Sequence, residues 1–113
     1  MAQLYSVQDV SFHINKSNPA SLVVFASGLA SSSGWSDAAL VQRQYVSEPA
    51  DGIQDFDFVG EPPTGISLMV LSPISGTGEI QLETWMKGVR VHSASNEMSV
   101  LLANKVRSIQ MVE

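Results

Sequence analysis

The stretch GLASSSGWSD, Gly28 to Asp37, sets three serines between glycines with a tryptophan just behind them. Within it, Ala30-Ser31-Ser32-Ser33-Gly34 has the small-x-Ser-x-Gly spacing of a nucleophile elbow centred on Ser32. An elbow of that kind uses a strained strand-to-helix turn to present the hydroxyl to a general base. It belongs to parallel strands alternating with helices, and this chain shows no such alternation. His13 and His92 are the two histidines, and nothing in their spacing brings either to Ser32. The stretch therefore reads as an ordered loop, with Ser and Gly supplying turn geometry and local hydrogen bonds. A serine hydrolase is the least favoured functional reading. Trp35 is too large and apolar to lie free in a polar linker. It either plugs the loop onto the domain, the more frequent fate of Trp, or projects as a contact residue.

Asp51, Asp55, Asp57 and Glu61 form a second constellation. Asp55 and Asp57 share one face of a strand, with Asp51 before it and Glu61 after. Calcium takes several oxygens gathered by loops. The D-x-x-x-D-x-D spacing is not that of an EF-hand, and a straight strand cannot wrap an ion alone, so these four are weak metal candidates. As a glycosidase pair they lack a partner across a sugar bond. The expected role is a solvated strand face whose charges discourage edge-to-edge pairing. His13 and His92 fall at polar-facing positions without a companion ligand motif, and read as exposed polar residues. No cofactor is expected.

The third set is aromatic. In EIQLETWM, Glu79 to Met86, Trp85 lies on the face opposite Ile80 and Leu82, with Glu79, Gln81 and Glu83. Facing solvent, it is an aromatic beside acceptors, as in carbohydrate platforms and subunit interfaces. Covered by a second sheet, it is core. Tyr45, Arg43 and Arg90 belong to the same polar-aromatic class. The candidate ligand-binding or interface residues are thus Trp35, Trp85, Tyr45, Asp51 and Arg90.

The elements that must position these residues read as β throughout. Val10, Phe12 and Ile14 alternate with polar residues, a half-buried strand ended by a turn at Asn15–Pro19. Ser21–Ala30 is a near-continuous apolar run, expected to be buried on both faces and to complete a hairpin. Asp37–Val46 fits either a helix capped by Ser36 or a strand, and its surroundings favour strand. Ile53–Gly60 alternates cleanly, placing Phe56 and Phe58 inward and Asp55 and Asp57 outward. Ile66–Ile74 reads as a buried strand closed by Pro73, Ser75–Gly78 as a loop, Glu79–Met86 and Val89–His92 as strands. Ser93–Glu97 has hairpin-loop length. The tail from Met98 reads as strand, with a short C-terminal helix as the alternative. Turn signals about every ten residues indicate a single all-β domain over residues 1–113. The expected architecture is a two-sheet antiparallel β-sandwich, immunoglobulin-like in size but without that family's cysteine pair.

Composition bounds the function. A chain of 113 residues with 44% hydrophobic content builds a core without staples, and it has no cysteine for a disulfide framework. The net charge is −5, and the six basic residues are scattered. Nucleic acid and anionic membrane are therefore not expected partners. Charged residues are 15% against a usual value of about 25%, which suggests apolar surface hidden in an assembly. No apolar run approaches the ~18 residues of a membrane span. The N-terminus lacks signal-peptide features, so a cytoplasmic location is expected, although a mature secreted chain carrying an added Met reads the same. The resulting expectation is a non-catalytic binding domain acting through a sheet face or edge on protein partners, as a homo-oligomer. The alternative is a carbohydrate or small-ligand module built from loops at one end.

Overall fold

The computed structural model describes residues 1–16 and 19–102. Eight strands appear, in chain order: β1 (Ala2–Gln3), β2 (Ser6–Asn15), β3 (Ser21–Ala30), β4 (Ser36–Gln42), β5 (Ile53–Glu61), β6 (Ser72–Gln81), β7 (Gly88–His92) and β8 (Glu97–Leu101). The all-β expectation holds. The strands form one sheet in the order β2-β3-β6-β4-β5-β7-β8, with β1 added on β5. In place of two antiparallel layers, this mixed sheet curls into a nearly closed barrel. The β4–β6 and β5–β7 pairings are parallel. Parallel neighbours cannot be joined by tight turns. Residues 62–71 therefore carry the chain from β5 across the end of β4 to β6. Residues 82–87 carry it from β6 past β4 and β5 to β7.

The N-terminal hairpin forms as expected, with β2 antiparallel to β3 from Ser6↔Leu29 to Asn15↔Ser21. β3 is not buried on both faces, however. Only alternate residues (Leu22, Val24, Ala26, Ala30) enter the core, while Phe25 is exposed. Asp37–Val46 is strand only as far as Gln42, leaving Arg43 and Tyr45 in the following connection.

The largest departure concerns Ile66–Ile74. Residues 66–71 lie outside any strand, exposed except for the half-buried Ser67, and pairing on β3 begins at Ser72 instead. Ser75-Gly76-Thr77-Gly78 is thus part of β6 and not a loop. The glycines serve close approach of a second backbone. A Cβ on Gly76 would lie 2.9 Å from the Ala38 carbonyl, and one on Gly78 would lie 2.7 Å from Leu40 O. Strand β6 ends at Gln81, so Glu83 and Trp85 sit in a connection. Strand β8 confirms strand at Met98; the alternative C-terminal helix and the rest of the tail fall outside the described residues.

Phe56 and Phe58 are fully buried at the centre of the core, with Leu4, Leu22, Val24, Val89 and Val91 around them. Gln54, 1% exposed, is the polar exception on the same strand. Its amide donates to the carbonyls of Arg43 (3.0 Å) and Asp55 (2.9 Å) and accepts from Gln42 Nε2 (3.3 Å). The buried amide is thus satisfied, and it ties the end of β4 to β5.

The barrel closes where β2 and β8, the two ends of the strand order, come side by side. No strand pairing joins them there. The Asn96 side chain takes that role: its Oδ1 accepts from Val7 N–H (2.9 Å) and its Nδ2 donates to Val7 O (2.8 Å). The same β7–β8 turn donates backbone N–H groups from Ala94 to Leu4 O and from Ser95 to Tyr5 O.

Phe56→Ala and Phe58→Ala are each expected to destabilise by about 3–5 kcal/mol in urea unfolding. Asn96→Ala should cost about 1–3 kcal/mol, because Val7 loses both partners. Asn96→Asp should recover part of that at most, since a carboxylate cannot donate to Val7 O. An unchanged midpoint for Asn96→Ala would mean that the closure does not depend on this side chain.

Candidate functional site

The outward face of β5 and β7 carries the densest polar chemistry among the described residues. In register, Asp55 faces Arg90 and Asp57 faces His92 across the parallel pair. Asp55 is the hub. Its Oδ2 accepts from the Tyr45 hydroxyl (2.6 Å) and its Oδ1 from His92 Nε2 (2.8 Å) and Arg90 NH1 (3.3 Å). An ionised carboxylate only accepts, so His92 carries a proton on Nε2. Arg90 also reaches Asp51 (3.4 Å) and Glu97 (3.6 Å). The second ring nitrogen of His92 lies 3.6 Å from Glu97. Beside this hub, Arg43 grips Asp57 with two nitrogens (2.8 and 3.1 Å), and Gln3 on β1 adds a third donor (3.1 Å).

The electrostatics follow from these partners. Hydrogen bonds from Arg43 hold the Asp57 carboxyl below the usual carboxylate range, against an opposing effect of burial. Burial pulls Asp55 upward, but hydrogen bonds from Tyr45 and His92 and the charge of Arg90 outweigh it, so Asp55 also titrates low. Burial, reinforced by the hydrogen bond to Asp55, raises the Tyr45 phenol.

Four of the five contact residues expected from sequence gather here. Tyr45, Asp51 and Arg90 ring Asp55, and Trp85 meets Tyr45 edge-on with ring centroids 6.4 Å apart at 78°. Tyr45 and Trp85 wall a groove of about 330 Å³ between the β4–β5 connection and residues 82–87. Trp35 does not join them. It lies near Gly60, at the other end of β5. At about 3.3 Å per residue, that is some 16 Å from Asp55.

Trp35 pins the serine loop, as its size required. Its Nε1 donates to Ser32 Oγ (3.2 Å), and Ser32 donates in turn to Ser33 O (3.1 Å). Ser33 pairs with Leu68 through its backbone N–H and its hydroxyl (2.9 and 2.8 Å).

Two expectations change. Asp55 and Asp57 are not a solvated edge, because β5 is flanked by β4 on one side and by β1 and β7 on the other. Their charges are consumed by cross-strand partners. His92 is a bonded member of that network and not an exposed residue, while His13 is exposed as expected. The four acids proposed as metal candidates do not converge. Asp55 and Asp57 are occupied, and Glu61 lies near the N-terminal amine (3.9 Å). No group of three or more potential ligands close enough to hold a metal ion occurs among the described residues.

Sequence reasoning missed Glu97 and the hub role of Asp55. A usable signal was present: D-x-D in one strand and R-x-H in another are complementary on matching faces.

A second surface lies on the outer face of β2, β3 and β6. There Phe25 is flanked in register by Ser11 and Thr77, with Asp9, Ser27 and Ser75 in the next row. They line a shallow groove of about 430 Å³.

The depressed carboxylates predict the acid limb of stability. Above about pH 5 their contribution is fully present. As pH falls through 3.8, the unfolded carboxyls take up protons first, while the folded ones resist. Stability should therefore decline with falling pH, and the urea midpoint should fall less steeply in an Asp55→Asn, Asp57→Asn double variant. Equal slopes would mean that these pairs do not stabilise the native state. Comparison with known protein families, with curated proteins and with solved structures finds no match to this chain.

Proposed function

We propose that the protein is a non-catalytic interaction domain that self-associates through the loop Ile66–Leu71. One observation carries this reading: Ile66, Leu68, Met69, Val70 and Leu71 are all exposed in a single run, with Ile66 at 104% and Met69 at 87%. Contiguous apolar surface of this kind marks contact sites. Covering one such side chain is worth about 1.5–3 kcal/mol. Five of them together are of the order of the association cost of two proteins, about 4–15 kcal/mol.

Three features favour a second copy as the occupant. Between Glu61 and Glu79 the sequence holds no charged residue, so two loops can meet without like-charge repulsion despite a net charge of −5. Among the described residues, this run bonds to the rest of the molecule at Leu68, through Ser33, and at Val70 O, which accepts from the Ser72 hydroxyl. The backbone groups of Ile66, Ser67 and Met69 are open to pairing across a two-fold axis. The loop is also anchored at its middle, where Ser33 holds Leu68, so docking does not require it to order from a free chain.

The lack of native cysteine makes the test simple. A spin label at Ser67→Cys should give a short intermolecular distance by pulsed electron resonance. A label at Ser47→Cys, in the connection at the other end of the barrel, should give a longer one. No intermolecular signal from position 67 at tens of micromolar protein, or a shorter distance from position 47, would overturn the reading.

A further inference from the structure

We propose that the groove walled by Tyr45 and Trp85 is a binding site for a neutral saccharide. This goes beyond the self-association reading and lies at the opposite end of the barrel, so either can fail alone.

The walls are prepared in advance. The Tyr45 hydroxyl donates to the Asp55 carboxylate (2.6 Å) and accepts from the Asp55 backbone N–H (2.8 Å). These two bonds fix the ring on β5, whose position the core dictates. Trp85 is held by packing against the core and by its edge-to-face contact with Tyr45. Both rings border the groove, so a sugar ring's C–H face meets an aromatic wall that costs little entropy to order. Besides Val46 and Ser47, the lining offers planar polar groups that suit hydroxyls: the amides of Gln42 and Gln44 and the carboxylates of Glu48 and Glu83. A volume of about 330 Å³ lies at the lower end of small-ligand pockets.

Charge selects against other ligands. Arg43, also on the lining, is neutralised by Asp57. Glu48 and Glu83 have no ion-pair partner among the described residues, so the groove repels phosphate and anionic sugars. Quaternary ammonium ligands are recognised by cages of several rings. The edge-to-face contact consumes one face here, leaving a wall and not a cage.

The test uses the full chain carrying Trp35→Phe, which leaves Trp85 as the sole tryptophan. Titration with a panel of neutral mono- and disaccharides, read by fluorescence and calorimetry, should give saturable binding with at least one sugar. Tyr45→Phe should weaken it through loss of the ring anchor. Glu83→Ala, an exposed position that leaves the fold intact by urea unfolding, should weaken it about tenfold. Phe25→Ala on the other groove should leave it unchanged. No saturable binding across the panel would overturn the proposal. So would tighter binding of a quaternary ammonium or a sugar phosphate, or loss of binding on Phe25→Ala with retention in Glu83→Ala.

Discussion

The register of β5 is the constraint on which the rest of the structure depends. Its Phe56 and Phe58 fill the centre of the core, and the alternating Asp55 and Asp57 are thereby turned outward. A slip of one residue would exchange these two sets and place carboxylates in the barrel. Once the register is set, cross-strand geometry brings Arg90 and His92 to Asp55, and Arg43 and Gln3 to Asp57. Tyr45 then swings back from beyond β4 to close on Asp55, and Trp85 packs on Tyr45. Core and polar face are two consequences of one alternation.

The mixed topology creates the two surfaces proposed to be functional. Because β6 is the parallel neighbour of β4, and β7 that of β5, the chain must cross strand ends twice. Each crossing leaves a connection lying over an end of the barrel. One is the apolar run braced by Ser33. The other, with the β4–β5 connection, forms the Tyr45–Trp85 groove. The seam between β2 and β8 would otherwise expose two edges, and the Asn96 amide acts there as a local substitute for a strand. Both proposed sites lie on connections held on a rigid frame, the usual place for recognition.

Much of the fold was legible because strand period is a local property. The alternation in β2 and β5, the short β7 and the hairpin turn before β8 follow from side-chain periodicity and turn residues. What was not legible depends on long-range competition. Ile66–Leu71 has strand composition, but the place beside β3 goes to Ser72–Gln81, whose glycines admit the crossing β4. Periodicity carries no information about which segment wins that place. The same limit hid the sheet order, and with it the parallel pairings. At the site, residue types pointed to Tyr45, Trp85, Asp51 and Arg90. Their convergence on Asp55, and the separation of Trp35, are products of topology.

The proposed interface between copies of this chain at the apolar run is read out by solution mass. Light scattering behind a sizing column should give at least twice the chain mass of 12.1 kDa for the native protein. A Met69→Asp variant, whose exposed side chain bears no load in the core, should run as a folded monomer. A native protein that stays at the single-chain mass up to high concentration would rule out this interface, as would a variant that keeps the native mass.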